Sequence, residues 1–280
     1  MKKLYLKKVC LLLSHGKWLV PFVDLLKKLP MLGIECEALL IDEEFTKTAE
    51  TLYVTDQSKV AAMLTEAGLP VLVYCHEENR QENFSAARYV MEQPQELEPE
   101  YLERVYRRFV GLPWEILETE RCILRESIVE DAEALADIYG EADVTRYMDE
   151  EIRYKICERD YIQEYIENIY AFFEFGLWTV IEKESGRVIG HAGLSVREGF
   201  ELPELGYVIG IPWQGKGLAK EVCEGILKYA REELDFDKIQ LLVQKENDRS
   251  LNLAKRLGFV YERSVIIEGK TYLFLVKIYT

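Results

Sequence analysis

Two glycines with one residue between them, Gly215 and Gly217, stand near the end of the run Tyr207-Val208-Ile209-Gly210-Ile211-Pro212-Trp213-Gln214-Gly215-Lys216-Gly217-Leu218-Ala219. A β-branched stretch stops at Pro212, and a helical pattern opens after Gly217. Closely spaced glycines let a backbone curl tightly with its N–H groups pointing outward. The helix that follows adds its own unpaired N–H groups and the positive end of its dipole. The chemistry offered is anion binding, a seat for phosphate or pyrophosphate formed by Gln214, Gly215, Lys216, Gly217, Leu218 and Ala219. It is not a Walker A loop, which has a longer glycine spacing closed by lysine and a hydroxyl residue. Nor is it the dinucleotide fingerprint, which has a third glycine and a distant acidic residue.

Flanking residues sharpen the reading. Glu204-Leu205-Gly206 precedes the run, and Asn247-Asp248-Arg249-Ser250 follows downstream, with Leu257-Gly258-Phe259 after it. Together these resemble the GNAT N-acetyltransferases, whose Gln/Arg-x-x-Gly-x-Gly/Ala signature holds the pyrophosphate of acetyl-CoA. The stretch Glu118-Thr119-Glu120-Arg121-Cys122-Ile123-Leu124-Arg125 is similar to the RimJ/RimL branch of that family. The resemblance runs from about Leu117 to the C-terminus, over half the chain.

The resemblance implies an α/β (α+β) fold with a mixed, mostly antiparallel central sheet and flanking helices. It implies a bulge in the strand at 204–209 that splays it from the strand at 239–243, leaving a gap for the pantetheine arm. Backbone groups of Val208 and Ile209 would bind that arm and polarise the thioester carbonyl, and Asn247 would bond to it. Ser250 becomes the candidate proton donor to the leaving thiolate, because Ala254 stands where many relatives carry a tyrosine acid. Leu242 replaces the glutamate base of a related subgroup, which moves that role to Glu204, with Glu201 second. The implied co-substrate is acetyl-CoA, with no metal, and the implied acceptor is an amine.

These residues need elements to hold them. Residues 204–209 and 239–243 read as strands, the residues after Gly217 as a long amphipathic helix, and 248–257 as a short helix that Asn247 or Asp248 can cap. Residues 118–125 read as a strand and 129–139 as a helix stopped by Gly140. Two strands flank Glu184-Ser185-Gly186-Arg187 as a hairpin, with His191 a packed, hydrogen-bonded core residue. Strands at 259–263 and 270–277 close the sheet. Between the 129–139 helix and the hairpin, 141–175 reads as helical and acidic, with Tyr147, Tyr154, Tyr161, Tyr165 and Tyr170 among Asp149, Glu150, Glu151, Glu158, Asp160, Glu164 and Glu167. Carboxylates beside aromatic faces would attract an ammonium group. Tyrosines packed against the sheet, with a solvated acidic face, are the plainer alternative.

The chain divides, on this reading, into a small parallel α/β domain at 1–112 and the acetyltransferase domain at 117–280. The first fifty residues read mostly as helices. Residues 52–55 and 71–74 read as buried strands around a helix carrying Val60, Met63, Leu64 and Ala67, with a short strand at 87–90 and a helix from Pro99. Val54-Thr55-Asp56 faintly resembles a haloacid-dehalogenase-like unit, but the Asp-x-Asp pair those enzymes need after the first strand is missing. Asp56 reads more simply as a helix cap, and docking or regulation as the domain's role.

A net charge of −15 over 280 residues excludes general affinity for nucleic acid and suits a cationic acceptor. Six scattered cysteines without C-x-x-C spacing, and three histidines, argue for reduced thiols and against structural zinc. Lys2, Lys3, Lys7 and Lys8 before Val9-Cys10-Leu11-Leu12-Leu13 mimic a signal peptide, but the apolar run is short and no cleavage site follows. No stretch reaches the ~20 apolar residues of a membrane span. The expectation is a cytoplasmic protein, monomer or homodimer, with no membrane or nucleic-acid partner. The rivals to an enzyme are a non-catalytic acyl-CoA sensor or docking module, and an N-terminal phosphate-ester enzyme.

Overall fold

The run Val9-Cys10-Leu11-Leu12-Leu13, read as part of a helical region, is instead the core of strand β1 (Lys8–Leu13), and β2 (Glu35–Leu40) lies in the same supposedly helical stretch. The reason is burial: β1 lies between two parallel neighbours with Val9 to Leu13 all buried, so its run carries no alternation to reveal its period. With β3 (Thr51–Thr55), β4 (Val71–Tyr74) and β5 (Tyr89–Met91) it forms a five-stranded, all-parallel sheet in the order β2-β1-β3-β4-β5. Helices α1 (Val23–Met31), α2 (Ser58–Glu66) and α3 (Pro99–Phe109) belong to the same unit. This computed structural model describes residues 4–41, 43–148 and 155–279, in two compact units, 1–114 and 115–280.

Asp56 is not a helix cap. It is wholly buried at the end of β3, where its carboxylate accepts from the Ser14 N–H (2.8 Å), the Ser14 hydroxyl (2.5 Å) and His76 Nε2 (3.2 Å). His76 Nδ1 accepts from the Glu78 N–H, which leaves the proton on Nε2 facing Asp56. In α3 the buried Glu103 accepts from the N–H groups of Tyr5 and Leu6 and from Arg107 Nε. Arg107 therefore serves an internal ion pair.

The second unit is built on eight strands: β6 (Glu115–Glu118), β7 (Cys122–Arg125), β8 (Leu177–Glu182), β9 (Val188–Ser195), β10 (Glu204–Ile209), β11 (Lys238–Gln244), β12 (Val260–Ile267) and β13 (Lys270–Ile278). Their order is β12-β13-β11-β10-β9-β8-β7-β6, antiparallel throughout except between β10 and β11. That one parallel pair requires a crossover, and the helix α7 (Leu218–Glu232) supplies it. Leu218, Val222, Cys223, Ile226, Leu227 and Ala230 of α7 are buried at helical spacing, each large aliphatic contributing about 1.5–3 kcal/mol. Helices α4 (Ala132–Gly140), α5 (Ala142–Thr145) and α6 (Arg159–Tyr165) pack an apolar cluster that includes Leu135, Ile138, Ile162 and Val208. A short helix, α8 (Asp248–Arg256), follows β11. No helix among the described residues is long and apolar enough to cross a membrane.

Candidate active site

Strands β10 and β11 form a fork. Along its outer side β10 pairs with β9 from Glu204↔Ser195 to Ile209↔Gly190, and β11 pairs with β13 from Lys238↔Ile278 to Gln244↔Tyr272. Between themselves they pair only at Glu204↔Gln240, beside a bond from the Gln240 N–H to Pro203 O (2.9 Å). The β9–β10 register is unbroken, so the fork opens without the bulge that the resemblance implied.

Alternation along the ladders decides which backbone groups line the opening. The Gly210 N–H donates to Ile189 O, which puts Gly206 and Val208 in the bonded pairs with β9 and turns Leu205, Tyr207 and Ile209 toward β11. A Cβ placed on Gly190 would meet Val208 O at 2.0 Å, so that carbonyl faces β9 as the pattern requires. The expectation that the backbone of Val208 faces the opening does not fit this register: the backbones of Tyr207 and Ile209 face it, and that of Val208 faces β9. On the other prong the Lys245 N–H donates to Thr271 O, so Leu242 and Gln244 face the opening.

The glycine turn sits at the open end. Gly215 and Gly217 have φ of 75° and 82°, a conformation that side chains disfavour, and both are exposed. Nothing lies within 4 Å of a Cβ on Gly215, and only Arg121 Nη2, at 3.6 Å, near one on Gly217. Gly217 caps α7 without any side-chain bond, and the first helical bond runs from the Glu221 N–H to Gly217 O. The N–H groups of Leu218, Ala219 and Lys220 thus stand outside the helix ladder, at the positive pole. This open, exposed cradle fits a pyrophosphate.

Side chains brace it. Gln214 donates through Nε2 to Ile209 O (2.8 Å) and accepts from Arg249 Nη1 (3.2 Å), joining the end of β10 to the start of α8. Arg121 donates to Lys216 O (3.0 Å) and to Glu221 Oε2 (2.7 Å), while Thr119 and the Arg121 N–H bond to Glu221 Oε1. Arg121 and Arg249 were not among the expected site residues. Both stand in the quoted motifs, so position relative to the glycines was the available signal. Asn247 caps α8, its Oδ1 accepting from the Ser250 N–H (3.2 Å).

Glu204 stands where the fork closes, and it is not a free base. Its buried carboxylate accepts from Arg197 Nε (2.5 Å) and Nη2 (3.0 Å), with Gln240 Nε2 at 3.5 Å. The carboxylate to which the sequence reading gives the base role is thus one half of an ion pair, with Arg197 reaching it from the β9–β10 loop. Gln240 is wholly buried and its Oε1 has no partner. Glu201 is exposed on the same loop.

The aromatic segment resolves mainly into packing. The Tyr165 hydroxyl accepts from the Leu177 N–H, and the Tyr170 hydroxyl donates to Leu177 O. Tyr147 reaches the fork's edge, its hydroxyl bonding to Glu246 O and its carbonyl accepting from Gln244 Nε2. Asp149, Glu150, Glu151 and Tyr154 lie outside the described residues. His191 is buried on β9, with Nε2 2.9 Å from the Ser127 hydroxyl, which also meets Thr179. Burial holds its pKa down at about 4, so it is neutral at physiological pH. No group of three or more metal-ligating side chains occurs among the described residues.

Comparison with known proteins agrees with this geometry. Residues 121–260 match the family model of the acetyltransferase (GNAT) domain. The [ribosomal protein uS5]-alanine N-acetyltransferase of Escherichia coli (strain K12) is 35% identical over 159 residues, covering 52% of this chain and 78% of that protein. An uncharacterized N-acetyltransferase, p20 of Bacillus licheniformis, is 31% identical over 150 residues, covering 53% and 84%. The crystal structure of a ribosomal-protein-S5-alanine acetyltransferase from Vibrio fischeri shares the fold, with a TM-score of 0.50 and 18% identity over 58% of this chain and 95% of that one. The fork, the glycine turn and a family match spanning half of the sequence lead to one assignment: the chain belongs to the GNAT acetyltransferase family and is an N-acetyltransferase.

Proposed function

We propose that residues 115–280 transfer an acetyl group from acetyl-CoA to a primary amine of a small molecule or protein. The observation that carries this reading is the fork between β10 and β11, opening toward the uncapped start of α7. Backbone N–H groups of the 215–220 turn would hold the pyrophosphate, with Arg121, Lys216 and Arg249 beside it. When bound, acetyl-CoA supplies an activated thioester.

The chain's own groups then have distinct tasks. The N–H groups of Tyr207 and Ile209 point into the opening and can donate to a developing oxyanion. Glu204, at the closed end, offers negative charge to an amine that becomes cationic as it attacks, and takes its proton directly or through water. Arg197 keeps that carboxylate in place. Ser250 stands by as the donor to the leaving sulfur. The name of the Escherichia coli relative supports an α-amino group on a protein as one acceptor class.

One observation favours the rival reading of an acyl-CoA sensor: both Glu204 oxygens are already engaged. The test is CoA release over a panel of an alanine-terminated peptide, a lysine peptide and a polyamine, followed by single-turnover transfer in Glu204→Gln. The account expects release with at least one amine. It expects Glu204→Gln to keep acetyl-CoA affinity while slowing transfer by about 10²-fold or more. Equal rates would remove Glu204 from the chemistry, and no release with any amine would favour the sensor.

A further inference from the structure

Glu204 is held by a cation that belongs to the chain itself. Arg197 Nε and Nη2 reach the two oxygens of its carboxylate at 2.5 and 3.0 Å, a bidentate grip. The two partners are anchored very differently. Glu204 is locked in β10, paired with Ser195 on one side and Gln240 on the other, and its side chain is 8% exposed. Arg197 lies on the β9–β10 loop, and its side chain is 39% exposed. The backbone beneath it is fixed by a turn, in which the Phe200 N–H donates to Arg197 O (3.1 Å) and Gly199 takes a φ of 81°. The Phe200 ring stacks on Phe274, with centroids 5.7 Å apart. Release of Glu204 therefore needs only a side-chain motion of Arg197 into solvent, where Glu198 and Glu201 of the same loop are exposed.

We infer that the Arg197 guanidinium occupies the seat of the acceptor's own charged nitrogen, and that the acceptor is an amine, cationic at neutral pH, that displaces it. The inference rests on the transferase reading above, with Glu204 as the base. A buried carboxylate stripped of its partner is strongly destabilised, so whatever takes Glu204 from Arg197 must bring a positive charge in exchange. An ammonium does so, with up to three N–H donors. A neutral acceptor, such as a hydroxyl or an arylamine, brings no charge and leaves Arg197 in place. The exchange also accounts for the two engaged oxygens of Glu204, since the base stays covered until a cation uncovers it. Once seated, the ammonium gives one proton to Glu204 or to water, and the neutral amine attacks the thioester carbon. Gln240, whose Nε2 lies 3.5 Å from Glu204, keeps a buried Oε1 without a partner, so Arg197 does not saturate the acceptors around the seat.

The test is Arg197→Ala, with methylguanidinium as a soluble replacement for the missing head group. Arg197→Lys is the second variant, because it keeps a cation for the buried carboxylate but grips it at one point rather than two. CoA release is followed with the amine that turns over fastest on wild type. Its KM should fall by about ten- to a hundredfold in Arg197→Ala, the factor by which a seat open only ~1–10% of the time weakens apparent binding. Arg197→Lys should lower KM by a smaller factor. Methylguanidinium should inhibit Arg197→Ala in competition with the amine and leave wild type, whose seat is filled, unaffected. Slower transfer in Arg197→Ala that methylguanidinium rescues is the signature of a residue that only positions Glu204. That result, or an unchanged KM in both variants, would overturn the inference while the transferase reading stands.

Thermal melts report on the seat without turnover. Methylguanidinium should raise the melting temperature of Arg197→Ala, where it restores a partner to the buried carboxylate, and not that of wild type. That shift, with no amine acetylated by wild type or either variant, would uphold the cation seat and overturn the transferase reading. No shift and no transfer would overturn both.

Discussion

Glu204 and His191 are buried titratable side chains of the same sheet, and their neighbours settle them in opposite ways. Glu204 takes Arg197 as an ion-pair partner; His191 is held neutral, because burial outweighs the pull of Asp131. The second case makes a stability prediction. The folded pKa of His191, about 4, lies below its ordinary value of 6.5, so the unfolded chain binds a proton that the folded chain refuses. Stability is then fully present above pH 6.5 and falls as pH drops from 6.5 toward about 4, by as much as about 3 kcal/mol. His191→Gln should remove most of that slope while keeping a polar group for Ser127. Denaturant melts at neutral pH and at the acid end of that window check it, and parallel losses in both proteins would show that other groups set the acid limit. A packed histidine was legible in the sequence from its place in an apolar strand. The Arg197 partner of Glu204 was not, because it lies on a loop whose path no periodicity records.

At the scale of elements, the glycine turn was the most legible part of the site. Its chemistry depends on local spacing alone, and both glycines have the positive φ that makes them glycines. The fork was legible only through resemblance, since β10 and β11 part by losing contacts between segments separated by a whole helix. Its expected cause, a bulge, is absent. Strand β1 is hidden for the opposite reason, because burial of Val9 to Leu13 leaves no period to find, and β2 is a six-residue edge strand with no buried residue, too short to show one. The turn's role can be tested apart from its strain. Asn tolerates the left-handed conformation better than other non-glycine residues, so Gly217→Asn should unfold within about 1 kcal/mol of wild type. Its side chain would nonetheless project into the open cradle, and acetyl-CoA affinity should fall by at least about tenfold, the cost of even one displaced charge-assisted bond. Thermal melts and calorimetry on the same sample separate the two effects. Undiminished affinity in a stable variant would move the anion seat elsewhere.

For the molecule as a whole, the chemistry belongs to one of two units. Residues 115–280 contain both prongs of the fork, the turn, Glu204, Tyr207 and Ser250, with a sheet and core of their own. In residues 1–114 the polar groups at the strand ends satisfy one another, Asp56 with Ser14 and His76. From the sequence this unit reads only as docking or regulatory, because Asp56 lacks the second aspartate of an Asp-x-Asp pair after the first strand. We propose that the second unit folds and binds alone. The direct measurement is calorimetric titration of acetyl-CoA into the full chain and into the 115–280 fragment. The account predicts one site in each, with affinities agreeing within about threefold, under the ~1.4 kcal/mol that a tenfold change represents. No binding by the folded full chain would contradict the assignment of the fork as an acetyl-CoA site. Binding by the full chain but not by a folded fragment would contradict its completeness within residues 115–280.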